Sequence, residues 1–198
     1  MDELTKRALY IAKVILKHDK VLVVTHIDAD GITSGSIAYQ ALERAGIDCE
    51  MMFVKQLDDD TIEKIKDKNE FVWFTDLGSG QIDILKGLTF VITDHHLPKI
   101  PHKMQLNPHE FGHDGSIDMS GAVATYLVAK NMGLNFDLSD LAIVGAVGDL
   151  QDLKFGRLVG INKMVVEEAI KFGFIKAKRD LRLFGKQTRP IAKMLEYT

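Results

Sequence analysis

Apolar positions recur along this chain in two alternating rhythms. Residues 3–18 carry Leu4, Ala8, Ile11, Ala12 and Ile15 at helical spacing, which predicts an amphipathic helix. Val21-Leu22-Val23-Val24 is a short β-branched run, the pattern of a buried strand. The alternation continues with a helix over 32–45 stopped at Gly46, a strand from Cys49 to Val54 and a charged helix over about 59–68. Phe71-Val72-Trp73-Phe74 reads as a strand, residues 81–86 as a short helix, and Leu88 to Ile92 as another buried strand. The stretch 97–118, rich in Pro, Gly, His and Asn, reads as loop with a short strand around Met104 to Leu106. From Ser120 onward the pattern is helical, over 121–132, 138–148, 158–171, 176–184 and 190–196.

Strands alternating with helices predict an α/β fold, with a mostly parallel sheet covered by helices on both faces and a helical C-terminal segment behind it. The α/β core is expected over about 1–150 and the helical extension over about 151–198. No internal repeat or low-complexity tract interrupts the chain. In such sheets the functional loops lie beyond the carboxyl ends of the strands. Three short motifs occupy those places: His26-Ile27-Asp28-Ala29-Asp30-Gly31, Thr75-Asp76-Leu77-Gly78 and Thr93-Asp94-His95-His96. A fourth, Gly148-Asp149, ends the apolar helix that runs through Leu141 to Val147.

Each motif has a plain structural reading. Asp30 or Thr33 is a suitable helix N-cap, Asp76 a turn residue, and Asp149 an exposed helix end. Four such placements in one small chain predict a single shared site instead. Alternate residues of an extended chain face the same way, so His26, Asp28 and Asp30 can leave one side of a strand end. Gly31 then allows a tight turn into a helix whose N-terminus suits an anion. The adjacent His95 and His96 point in different directions, one toward metal and the other toward substrate, with Asp94 orienting a ring through its second nitrogen. A carboxylate at Asp149 opposes the dipole of its helix, a local conflict of the kind functional residues produce. Ser120-Gly121-Ala122 opens a helix and offers either backbone N–H groups to phosphate or an ordinary N-cap.

Oxygen and imidazole donors gathered this way suit divalent ions of the manganese or magnesium class. The donor set exceeds what one ion needs, which predicts two ions about 3.5–4 Å apart sharing a carboxylate. Cations also explain how so many carboxylates stay ionised together.

Charge sharpens this picture. The net charge of −3 divides unevenly, with 14 Lys and Arg against 24 Asp and Glu in residues 1–152, and 11 against 4 in residues 153–198. Bound cations would offset the acidic part, and the basic end suits either a polyanion or a solvated surface. The single Cys49 excludes an internal disulfide and a Cys-based zinc site. The acidic first residues read as a helix start, and the apolar runs are too short to span a membrane, so a cytoplasmic setting is expected.

These motifs, in this order, resemble the DHH phosphoesterase superfamily, and the HxDxDG form of the first with Thr93-Asp94-His95-His96 resembles its RecJ-like branch. The stretch Leu183-Phe184-Gly185-Lys186-Gln187-Thr188-Arg189-Pro190 is similar to archaeal RecJ-like nucleases, including those associated with the GINS replication complex. The resemblance implies a two-metal phosphodiesterase preferring manganese, with magnesium as the alternative. It implies that His26 and Asp28 bind one ion, that Asp30, His95 and Asp149 bind the other, and that Asp76 bridges them. His96 would contact the scissile phosphate or assist the leaving group, Asp94 would support the histidines, and Ser120 and Gly121 would lie near substrate. A second, substrate-gripping C-terminal domain is usual in such proteins and has no counterpart here, so the chain is expected to be a catalytic portion of a longer protein.

The resulting expectation is an exonuclease releasing 5′-mononucleotides from single-stranded DNA or RNA. Lys176, Lys178, Arg179, Arg182, Lys186 and Arg189 would help hold the strand. Two alternatives stand beside it: a phosphodiesterase acting on oligonucleotides or cyclic dinucleotides, and a replisome-associated scaffold.

Overall fold

The computed structural model describes residues 2–68, 70–178, 180, 183, 185 and 188–197. Its centre is a five-stranded parallel sheet of β1 (Lys20–His26), β2 (Asp48–Val54), β3 (Phe71–Thr75), β4 (Phe90–Thr93) and β5 (Gln105–Leu106), ordered β2-β1-β3-β4-β5. The helices are α1 (Glu3–Ile15), α2 (Ala29–Arg44), α3 (Asp59–Lys68), α4 (Gly121–Ala129), α5 (Ser139–Gly148), α6 (Gly160–Lys171) and α7 (Ile191–Glu196).

Strand side chains alternate between two cores, as a pleated strand requires. Val21, Val23, Phe71, Trp73 and Val91 pack on the face covered by α1, α2, α4, α5 and α6. Leu22, Val24, Val72, Phe74 and Ile92 pack on the other face, against Ile62 and Ile65 of α3 and the turns holding Ile82 and Leu85. The α/β architecture with helices on both faces is therefore the one the alternating pattern predicts. Helix α6 joins the larger core through Ile161 and Val165, so the main body runs past residue 150. Among the described residues no helix is long and apolar enough to cross a membrane.

Strand order creates the place for a site. From β1 the chain moves to the β2 edge, then returns past β1 to β3. The loops leaving β1 and β3 diverge there, and a crevice opens beyond the carboxyl ends of two adjacent strands.

Three local expectations need correction. Helix α2 starts at Ala29, not 32, because Asp28 is its N-cap, its carboxylate accepting the Gly31 N–H at 2.9 Å. Asp30 thus lies in the first turn. Residues 81–86 form no α-helix; a 3-10 turn at Ser79–Gln81 leads into turns ending at Gly87, and β4 begins at Phe90. Glycines at 78 and 87 with positive φ break the right-handed helical backbone at both ends of this segment. The helix expected over 176–184 is absent at 176–178, 180 and 183, and its other residues lie outside the described ones. Gly173, at φ 80°, stops α6.

Candidate metal centre

Three threonines lie side by side where the central strands end: Thr25 pairs in register with Thr75, and Thr75 with Thr93. All three are buried, and each directly precedes a candidate ligand or its support: His26, Asp76 and Asp94. Thr25 donates its hydroxyl to Gly31 O at 2.6 Å, tying the first turn of α2 to the end of β1. The approach is close. A side chain at Gly31 would place its Cβ 2.6 Å from His26 Cβ, so only glycine fits. Asp28 remains at the surface as cap, whereas Asp30 turns inward and is almost fully buried.

The N-terminus of α4 receives Asp30. The N–H groups of Gly121 and Ala122 donate to its two carboxylate oxygens at 2.7 and 2.9 Å. Ser120 is the N-cap, its Oγ accepting the Val123 N–H. Ser120 and Gly121, expected near substrate, are both buried: Ser120 caps α4 and Gly121 donates to Asp30. Gly121 also passes so near β3 that a Cβ would lie 2.7 Å from the Cβ of Asp76.

Asp76 is the central residue. It takes φ 60°, a left-handed conformation that costs a residue with a side chain about 1–2 kcal/mol. Its side chain is 1% exposed, and neither carboxylate oxygen has a hydrogen-bond partner. His95 Nε2 is 3.3 Å from Oδ1 and His26 Nδ1 is 3.7 Å from Oδ2, but neither is in hydrogen-bonding geometry. A buried carboxylate left this way carries a desolvation cost of a few kcal/mol unless something charged compensates it.

The turn after β4 is organised by Asp94. Its Oδ1 accepts the N–H groups of His95 and His96 and the His96 Nδ1–H, at 2.7, 3.1 and 2.8 Å, while Oδ2 accepts the Ser79 N–H at 2.9 Å. Burial would raise its pKa, yet His96, His95 and the Ser79 N–H hold it at about 2. Asp94 is therefore an ionised brace, fully used within the turn. His95 Nδ1 donates to Gly115 O at 2.7 Å, since a carbonyl can only accept. That leaves Nε2 facing Asp76 at 3.3 Å and Asp30 and Asp149 at 3.7 Å each. His96 is braced at Nδ1 by Asp94, and its side chain is half-exposed.

Ligand atoms of His26, Asp28 and Asp76 lie within 4.8 Å of one another, and so do those of Asp30, His95 and Asp149. Asp76, His95 and His96 form a third such group between them. The structure thus brings together all six residues expected as ligands, plus His96. The electrostatics show what the cluster lacks. Burial, reinforced by Asp30, pushes the Asp76 pKa well up. Burial likewise raises that of Asp30, against the pull of His95. Burial opposes protonation of His95, but Asp76 and then Asp30 lift its pKa to about 10. Positive charge is wanted among these groups, and the all-oxygen-and-imidazole donor set fits divalent cations.

Beside the cluster is a cavity of about 270 Å³ lined by His26, Lys55, Gln56, Asp76, Gly78 and His96 among others. Lys55 was not singled out from the sequence; the available signal was a cation directly after the apolar end of β2, one residue beyond Val54, which pairs in register with His26. A larger groove of about 640 Å³ lies between α1, α4 and α6 and contains none of the ligand set. Arg189 is in the C-terminal segment, its guanidinium 5.1 Å over the Tyr197 ring, in a groove with Pro190 and Lys193 that holds no ligand residue. Lys176 and Lys178 are exposed, and Arg179, Arg182 and Lys186 lie outside the described residues.

Residues 20–146 match the DHH family, N-terminal domain. An uncharacterised protein of Methanocaldococcus jannaschii is 38% identical over 195 residues, covering 91% of this chain and 44% of its own length. Among solved structures, exonuclease RecJ bound to manganese superposes with a TM-score of 0.68 at 19% identity, covering 86% of this chain and 48% of that one. RecJ from Thermus thermophilus in complex with Mn2+ gives 0.66 at 22% identity, covering 85% and 26%. These structural likenesses establish the fold. The chain spans less than half the length of the curated relative it matches.

Proposed function

The chain belongs to the DHH family, and from that premise we propose that it is a metal-dependent phosphodiesterase: a single-strand exonuclease that releases 5′-mononucleotides from DNA or RNA. The observation that carries this reading is Asp76, a buried carboxylate with both oxygens unpartnered, positioned between two groups of ligand atoms. His26, Asp28 and Asp76 would hold one divalent ion, and Asp30, His95 and Asp149 a second, with Asp76 shared. Manganese is the expected ion, as in the RecJ structures of similar fold. When bound, such a pair supplies Lewis acidity at the phosphoryl oxygens and makes water acidic enough to attack near neutral pH.

The chain's own residues divide the remaining work. Asp94 fixes the His96 ring through Nδ1 and raises its pKa, which favours the protonated ring at the cavity, and from Nε2 that ring would be placed to protonate the departing oxygen. Lys55 and Gln56 line the same cavity and can hold a phosphate and an adjoining sugar or base. The strained turn at Asp76 and the close packing at Gly121 fix the shared carboxylate in place without any hydrogen bond to its oxygens.

A second reading concerns substrate length. The cavity of about 270 Å³ beside the cluster can engage only a small part of a strand, so short phosphodiesters such as oligonucleotides or cyclic dinucleotides are candidate substrates as well. The test is manganese-dependent release of mononucleotides from end-labelled single-stranded DNA and RNA, with Asp76→Asn in parallel. Release by the parent and none by the folded variant is expected. Release confined to short substrates at equal concentrations of ends would favour the second reading. Equal activity of parent and variant would refute both.

A further inference from the structure

Two buried amides outside the ligand set connect everything that holds one half of the centre. Gln151 is almost fully buried, and its Nε2 donates to Asp149 Oδ2 and to Gly115 O, both at 2.8 Å. Gly115 O is the same carbonyl that accepts the His95 Nδ1–H. Gln151 Nε2 is also 3.4 Å from His95 Nδ1, but both atoms carry protons, so that approach is not a bond. The Gln151 Oε1 accepts Asn162 Nδ2 at 2.6 Å. Asn162, fully buried on α6, donates its second proton to Ile117 O at 3.2 Å and accepts the Ser120 N–H through Oδ1 at 3.1 Å. Every donor and acceptor therefore has one consistent assignment. Neither amide can flip without placing N–H against N–H.

The network reaches three ligands by three routes. Gln151 holds Asp149 directly. It shares an acceptor with His95, which fixes the tautomer that leaves Nε2 toward the carboxylates. Through Asn162 it fixes Ser120, the N-cap whose next two N–H groups bind Asp30. The other half is supported differently: His26 and Asp28 are held by the end of β1 and the cap of α2. We propose that Gln151 and Asn162 are positioning residues for the Asp30, His95 and Asp149 half of the centre, and that they set the affinity of that half independently of the other.

This inference rests on the two-ion reading of the site. The test is manganese titration of the intact protein, read by electron paramagnetic resonance of free ion and by calorimetry, for the parent, Gln151→Met and Asn162→Ala. Gln151→Met keeps the side chain's length and removes its hydrogen bonds. In both variants one of two sites is expected to weaken by about 10–100-fold, the magnitude usual when support of a ligand is lost. The other site stays within about twofold, and phosphodiesterase turnover recovers at high manganese. Equal weakening of both sites, or no weakening of either, would overturn the proposal. So would loss of folding in both variants, which would assign these amides to the core rather than to the ligands. A parent that binds fewer than two ions would instead refute the two-ion reading itself.

Discussion

Replacing Gly145 with alanine should destabilise the protein and loosen the candidate metal centre, against ordinary helix expectation. In a helix interior, alanine is favoured over glycine by about 0.8–1 kcal/mol. Gly145 lies inside α5, where that helix crosses α2 and α4. A methyl group there would lie 2.5 Å from Ala122 Cβ and 2.6 Å from Asp30 Oδ1, and would also strike the Thr33 hydroxyl. Carbon atoms prefer separations of about 3.5–4.0 Å, so α5 must retreat by about 1 Å or Asp30 must turn away. Overpacking costs about 1–3 kcal/mol, and three contacts at or below 2.6 Å place this case in the upper part of that range, at about 2–3 kcal/mol, so that subtracting the propensity gain of about 0.8–1 kcal/mol leaves a net loss of about 1–2 kcal/mol. For a domain of this size that corresponds to a fall in Tm of about 2–8 °C. The assay is thermal melting of metal-free Gly145→Ala beside the parent, followed by manganese titration of both. Gly133→Ala is the control, because nothing but Asn135 Nδ2 at 3.9 Å is near its added methyl, and it should stay within about 0.5 kcal/mol of the parent. A Gly145→Ala protein as stable as the parent, with unchanged manganese affinity, would refute the reasoning.

Two other outcomes are set by local geometry. Leu150 takes φ 58° and is exposed, so Leu150→Gly should relieve about 1 kcal/mol of backbone strain and raise Tm by about 2–4 °C; a lower Tm would show that the leucine side chain contributes more than its strain costs. Arg44 bonds both oxygens of Asp137 at 2.7 Å and holds that carboxyl below its usual pKa of 3.8. A depressed folded pKa stabilises above the unfolded value and is lost as pH falls through the folded one, and for a pair this exposed the contribution is about 0.2–1 kcal/mol. Urea melts of parent and Arg44→Ala should therefore differ at pH 7 and converge below pH 3.8; a gap constant with pH would remove the ion pair from the account.

The candidate ligands were legible in the sequence because they contradict their surroundings. An aspartate or histidine directly after a run such as Phe71-Val72-Trp73-Phe74 has no packing role, and the turn it occupies is fixed by the strand before it. Strand identity was legible for the same local reason. Element edges were less so. Asp28, Asp30 and Thr33 all suit an N-cap, and only the tie of Thr25 to Gly31 O selects Asp28 and turns Asp30 inward. The glycines misled in another way. Gly31 reads as a turn former, whereas the structure requires it for close approach to His26, a property of two elements meeting.

What the sequence concealed is what depends on distant segments meeting. The order β2-β1-β3-β4-β5 decides that the loops of β1 and β3 open together, yet alternation of strands and helices is compatible with other orders. Lys55, far from His26 in sequence, is beside it only because β2 pairs with β1 in register. Asn162 carries no local mark at all: it lies in a helix and is buried among apolar neighbours, where an unpaired amide would cost about 1–3 kcal/mol. Its burial makes sense only through Gln151 and Ser120, each in a different segment. The same reasoning distinguishes two kinds of buried polar group in this molecule. Gln151 and Asn162 have their donors and acceptors met by the protein, so their burial is structurally complete. Asp76 has neither oxygen met, though it is buried as deeply and its backbone is strained as well. Asp76 instead faces His95 at 3.3 Å and His26 at 3.7 Å with no hydrogen bond to either oxygen, the arrangement that the proposed cations would complete.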